Sequence, residues 1–165
     1  MLAVIDVWLG RLLALGAALS ALLMIFCAGS LGYGILVRLT TGASSIWPID
    51  MAGHTLVYIV MLAAAEAFRR NEHIGVDLLT ARLPPRGRAI ADRWAALVVL
   101  VTAAVLLWTG IDMVQFSRAI NLHTSDYVEL PLHIVQAAMP VGAFMLALAA
   151  ARRLFGPPPA QEEEP

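Results

Sequence analysis

Residues Arg69–Arg93 read RRNEHIGVDLLTARLPPRGRAIADR and hold six of the chain's eleven arginines. On both sides of this basic stretch the sequence turns apolar. Before it, Met51 to Ala65 carries no charge, and Ile46–Pro48 and Ala67–Phe68 extend that run, interrupted only by Asp50 and Glu66. After it, Trp94 to Ile111 is uncharged for 18 residues. A helix rises about 1.5 Å per residue, so about 20 apolar residues cross a hydrocarbon layer of roughly 30 Å. The basic stretch is therefore a loop between two membrane spans.

Two further uncharged runs lie outward, Leu12 to Val37 with 26 residues and Leu130 to Ala151 with 22. The whole chain has 165 residues, 60% hydrophobic and 14% charged, with a mean hydropathy of +0.78. A soluble domain of this length needs more charge to cover its surface. The expected fold is an all-α membrane protein with four transmembrane helices over about residues 12–37, 47–68, 92–112 and 131–151. A single domain over residues 1–155 is expected, followed by a disordered tail, GPPPAQEEEP, over 156–165. The first apolar run is too long for a signal-peptide core, and Asp6 stands in front of it.

With four spans, the N-terminus, the middle loop and the tail share one side. That side holds Arg11, Arg69, Arg70, Arg82, Arg86, Arg88, Arg93, Arg152 and Arg153, nine arginines against Arg38 and Arg118 on the other. Positive charge stays inside, so both termini are expected in the cytoplasm and the loops around 38–46 and 112–130 outside. Trp8, Trp47, Trp94 and Trp108 fall near the expected interfaces, where indoles settle. Small residues recur at helical spacing in span one, as Gly16 with Ser20, and in span four, as Ala143, Ala147 and Ala151; such pairs let helices approach closely. Pro140 lies inside span four and predicts a kink.

Ionisable residues inside a span are the usual mark of transport chemistry, and here they keep to the ends. Glu66 sits within one turn of Arg69 and Arg70, which predicts a local ion pair. Asp50 and His54 are spaced i,i+4 near the outer end of span two. No carboxylate falls mid-span, and no internal repeat or pair of broken helices is evident, as an autonomous carrier would require. No metal-ligand spacing, nucleophile elbow or nucleic-acid-binding pattern appears, so no catalytic residue, metal or cofactor is assigned. Cys27 reads as a small buried hydrophobe. His54 and His133, both near the outer face, leave haem ligation in a redox anchor as one alternative; a general membrane assembly protein is another.

Within the basic loop, His73–Leu83 is expected to form a short amphipathic helix on the cytoplasmic leaflet. Pro84–Pro85 ends it, and Pro85 opens a helix that runs on through Arg88 and Asp92 into span three. Arg69, Arg70, Arg86 and Arg88 are placed to meet anionic lipid head groups.

Here the sequence resembles a known family. Ala65 to Arg88 follow the pattern A-x-x-x-R-R-x-x-H-I-x-V-D-x-L-x-x-x-L-P-x-x-x-R, carried by Arg69, Arg70, His73, Ile74, Val76, Asp77, Leu79, Leu83 and Pro84. This is similar to the small membrane subunit of TRAP transporters, the tripartite ATP-independent periplasmic carriers. A second match follows span three, where Thr124, Ser125, Leu130, Pro131, Pro140 and Gly142 stand at the family's positions. The family usually places one or two glutamates after a tryptophan at the start of span two. Here Trp47 is followed by Pro48, Ile49 and Asp50, a departure from that pattern. The resemblance implies a non-catalytic, multi-pass subunit of the bacterial inner membrane without a cofactor. Its implied partners are a large TRAP membrane subunit, which carries the substrate and sodium sites, and a periplasmic binding protein that delivers an organic acid. Trp47, Asp50, Arg86 and Arg88 become candidate contacts to that partner or to lipid.

Overall fold

A computed structural model describes residues 2–70 and 84–155. The expected amphipathic helix at His73–Leu83, with His73, Ile74, Val76, Asp77 and Leu83, lies outside the described residues, as does the tail. The described chain is helical: α1 Leu2–Thr41, α2 Trp47–Arg69, α3 Pro85–Ala119, α4 Leu132–Gln136 and α5 Ala138–Phe155. Four segments are long and apolar enough to cross a membrane, Val7–Thr41, Trp47–Arg69, Ile90–Ala119 and Leu132–Phe155, the last formed by α4 and α5 together. The all-helical, four-span architecture read from the sequence is the one observed.

Side by side, the helices run α1, α2, α5, α3. The last span by sequence thus inserts between the second and third, leaving α1 and α3 on the flanks. A compact core of Leu13, Leu62, Ala65, Phe68, Ala96, Met145, Ala149 and Ala150 ties them together. Around it, large apolar side chains such as Leu15, Ile25, Val105 and Trp108 stay exposed. Bilayer hydrocarbon is as apolar as leucine, so helix contact here depends on close packing rather than on removing surface from water.

Small residues make that packing possible. A Cβ on Gly142 would lie 2.5 Å from the Met61 Cβ and 2.6 Å from the Met61 carbonyl oxygen, so α5 meets α2 backbone to backbone. Gly110 brings α3 against Pro140, whose Cδ would be 3.0 Å from an added Cβ. Gly16 receives the end of Met145, and the Ser20 hydroxyl donates to the Ile59 carbonyl at 3.0 Å. Gly32 meets nothing within 4 Å. The small-residue pair expected on α1, Gly16 with Ser20, is thus an internal contact.

Helix ends follow local chemistry. α1 stops at Gly42, which adopts φ +71° and donates its N–H to the Arg38 carbonyl at 3.1 Å, as a left-handed residue after a helix does. Pro48 opens α2 in the first turn, where its missing N–H costs nothing. It is buried against Gly34, while the Tyr33 and Trp47 rings stack tilted at 5.8 Å. Pro85 opens α3, as its position predicts. That helix continues to Ala119, so Asp112 and Arg118 stand on helix and the connection to α4 is confined to residues 120–131.

Span four departs most from a plain helix. Pro140 predicts a kink, and regular helical bonding lapses at Ala137, whose backbone nevertheless stays helical at φ −61° and ψ −20° and whose N–H still reaches the His133 carbonyl at 3.1 Å. The lapse falls where Pro140 has no N–H to offer the Gln136 carbonyl four residues before it.

Candidate functional site

Polar side chains gather at three places, and each joins helices that the sequence keeps apart. At the arginine-rich end, Glu66 is 3% exposed. Arg69 donates from Nε at 2.7 Å and from Nη2 at 2.6 Å to its two carboxylate oxygens, and Arg70 donates from Nε at 2.7 Å. A buried carboxylate is stable only when paired in this way. The ion pair expected from the spacing is present, with both arginines engaged. Beside it, Arg153 of α5 reaches Asp92 of α3 at 3.1 Å, and its guanidinium lies 5.3 Å from the centre of the Phe68 ring of α2. One arginine therefore ties three spans together.

At the opposite end, Asp50, His54 and Tyr58 follow one another at i,i+4 and i+8 along one face of α2. Each holds a different part of the chain that follows α3. The Asp50 carboxylate accepts the backbone N–H of Tyr127 at 2.9 Å. His54 Nε2 lies 3.0 Å from the Asp126 carboxylate, a close contact without hydrogen-bond alignment. The Tyr58 hydroxyl donates to the Ile134 carbonyl in α4. His54 thus faces an acid on the connecting segment.

That segment is folded on itself. Asn121 takes a positive φ of 49° at the end of α3. His123 and Pro131 pair as an isolated bridge, with the Thr124 N–H donating to the Leu130 carbonyl at 2.9 Å and Leu132 N–H to Leu122 at 2.9 Å. The Thr124 hydroxyl donates to the Val128 carbonyl at 3.1 Å and accepts the Leu130 N–H at 3.0 Å. Thr124 is buried at 8% exposure and closes the turn from within.

The third gathering is the break in span four. Ser117 of α3, 1% exposed, donates to the Gln136 Oε1 at 2.6 Å. Tyr58 from α2 and Ser117 from α3 therefore hold Ile134 and Gln136 of α4 from two helices, shortly before Met139 and Pro140, on which Gly110 packs. Pro131, Pro140, Thr124 and Gly142 all have work in this arrangement: the bridge, the break, the closed turn and the close approach.

The sequence matches the family described as tripartite ATP-independent periplasmic transporters, DctQ component, over residues 27–157. The chain belongs to this family. A curated relative is the sialic acid TRAP transporter permease protein SiaT of Haemophilus influenzae (strain 86-028NP), 31% identical over 93 residues. The match covers 56% of this chain and 15% of SiaT, so the chain spans a small part of that relative's length. As a DctQ component it is a membrane constituent of a transporter.

Of the DctQ-like residues read from the sequence, Arg69 and Arg70 converge on Glu66, while Pro131, Pro140, Thr124 and Gly142 converge on span four. Pro84 precedes α3, and Arg86 and Arg88 lie in its first turns. Trp47 packs on Tyr33 and Asp50 on the segment after α3; the two do not form one site. Sequence reasoning missed Tyr58, Ser117, Gln136, Asp92 and Arg153 as contact residues. The i,i+4,i+8 spacing of Asp50, His54 and Tyr58 was the available signal; nothing local marks Ser117 or Asp92. Among the described residues there is no group of three histidines, cysteines or acids placed to hold a metal ion.

Proposed function

We propose that this chain is the small, non-catalytic membrane subunit of a sodium-coupled TRAP transporter that imports an organic acid. Its partners are a large membrane subunit, which carries substrate and sodium, and a periplasmic protein that delivers the substrate. Both termini and the Arg69–Arg93 loop face the cytoplasm of a bacterial cell, on the nine-to-two count of arginines.

One observation carries this reading within the family: among the described residues, the charged side chains of the four spans stand toward the helix ends. Glu66 is consumed by Arg69 and Arg70, Asp50 by a backbone N–H, Ser117 by Gln136. A carrier that moves ions needs acceptors near mid-membrane that change partners. These contacts build a rigid wall, suited to brace a moving neighbour. The SiaT relative is named a permease and is far longer than the matched segment, which supports an arrangement with a large permease part beside a small one.

Reconstitution tests the proposal. Vesicles containing this chain alone show no sodium-driven uptake of organic acids, and vesicles containing it with its large subunit and binding protein do. Uptake by the chain alone overturns the assignment.

A further inference from the structure

We infer that the chain carries a phospholipid site, with the lipid phosphate at Arg69 and Arg70 and an acyl chain in the groove between α1 and α5. This rests on the membrane-spanning architecture and not on the transport reading.

The groove has a volume of about 550 Å³. Leu12, Leu15, Gly16 and Leu19 of α1 form one wall, Leu107 and Ile111 of α3 with Phe144 of α5 the other, and Leu62 and Met145 the floor. It exists because α5 separates α3 from α1. Its lining is apolar throughout, which excludes a hydrated ligand. The groove is open along its length to the surrounding hydrocarbon, and the cations beyond its end favour an apolar chain that carries an anionic head.

Two arginines stand beyond one end. Arg69 follows Leu62 by seven residues, two turns less about 20°, and so returns to the same face of α2. The axial rise over those residues is about 10 Å. On α1, Gly16 packs beside Leu62 and Gly10 beside Arg69, whose Nη1 is 3.9 Å from where a Gly10 Cβ would be. The same two helices therefore lead from the groove floor to the guanidinium groups. That interval suits the glycerol region between a lipid phosphate and its acyl chain.

Glu66 acts as a positioning residue. Its carboxylate holds both guanidinium groups through three hydrogen bonds and neutralises one of the two positive charges. The side chains of Arg69 and Arg70 remain 44% and 56% exposed. A planar fork already held by a carboxylate loses little freedom when it binds phosphate. Trp8, 67% exposed and one turn before Leu12, stands where indoles favour the head-group layer.

The test uses the full-length chain in lipid-free detergent micelles, titrated with phosphatidylglycerol or phosphatidylethanolamine and followed by native mass spectrometry. Diacylglycerol and inorganic phosphate serve as half-ligands. One phospholipid is expected per chain, with weak binding of either half-ligand. Arg69→Gln with Arg70→Gln lowers phospholipid occupancy about ten-fold, the loss of charge-assisted hydrogen bonds. Leu19→Trp, which fills the groove from an exposed wall position, lowers it with the arginines intact. Thermal midpoints and helical circular dichroism confirm that each variant is folded. Phosphate binding alone as well as the lipid overturns the inference in favour of a free-anion site. Unchanged occupancy in Leu19→Trp overturns the groove. A large subunit that displaces the lipid, and whose association Leu19→Trp abolishes, makes the groove a protein seat and overturns the inference too.

Discussion

The hydroxyl of Tyr58 in span two donates to the backbone carbonyl of Ile134 in span four, 76 residues away. It meets α4 in the turn before Pro140. The Ile134 carbonyl already accepts the Ala137 N–H at 3.1 Å, and Tyr58 adds a second donor from a neighbouring helix. Tyr58→Phe keeps the ring and removes the donor. The expected loss is about 0.6 kcal/mol, and at most about 1.7 kcal/mol, the range for hydrogen bonds between membrane helices. A thermal or denaturant titration in micelles measures it, and a double-mutant cycle with Ser117→Ala shows whether the two grips on α4 are coupled.

The glycines divide into two classes by their surroundings. Gly142→Ala puts a methyl 2.5 Å from the Met61 Cβ and 2.6 Å from its carbonyl oxygen. Backbone has to move, and overpacking of this kind costs about 1–3 kcal/mol. Gly53 lies mid-helix in α2 with nothing within 4 Å of an added Cβ. Gly53→Ala is expected to be neutral or to stabilise by up to about 1 kcal/mol. Unfolding midpoints of the two variants move in opposite directions; equal shifts refute the close α2–α5 approach.

Glu66→Ala removes the common acceptor of two arginines. Loss of one partner from a buried ion pair costs about 3–5 kcal/mol, but both arginines are about half exposed and regain water, so about 1–2 kcal/mol is expected. Glu66→Gln retains an acceptor and falls between wild type and alanine. Because the carboxylate is 3% exposed, added salt changes these differences little. A strong salt dependence of the wild-type midpoint that Glu66→Ala abolishes sinks the buried-pair account.

Four spans were legible because uncharged runs of membrane length have no other use, and the Glu66 ion pair because its partners lie three and four residues on. The order of the helices in space was not legible. It depends on Gly142 meeting Met61 and Gly110 meeting Pro140, and nothing in either local sequence names its partner. Asp50 was visible as an acid near a tryptophan, yet its role required Tyr127 to be brought across from another loop. The kink at Pro140 was legible in kind. Its placement at Ala137 follows from Pro140 having no N–H for the helical carbonyl of Gln136, four residues before it.

Substitutions within the Arg69–Arg93 stretch separate orientation from partner contact. Orientation depends on the number of arginines on one side, and nine against two leaves a wide margin. Asp77→Asn or His73→Ala changes none of those arginines, so terminal reporter fusions are expected to show unchanged topology. A loop serving orientation alone has no need of His73, Ile74, Val76 and Asp77 in that order. If the motif contacts the large subunit, both variants insert normally but recover less large subunit on co-purification and support slower uptake. Arg82→Gln with Arg93→Gln is the complementary change: it removes two charges, leaves seven against two, and keeps the motif. It is expected to preserve both topology and assembly. Wild-type assembly and uptake in Asp77→Asn and His73→Ala reduce this stretch to a topology signal.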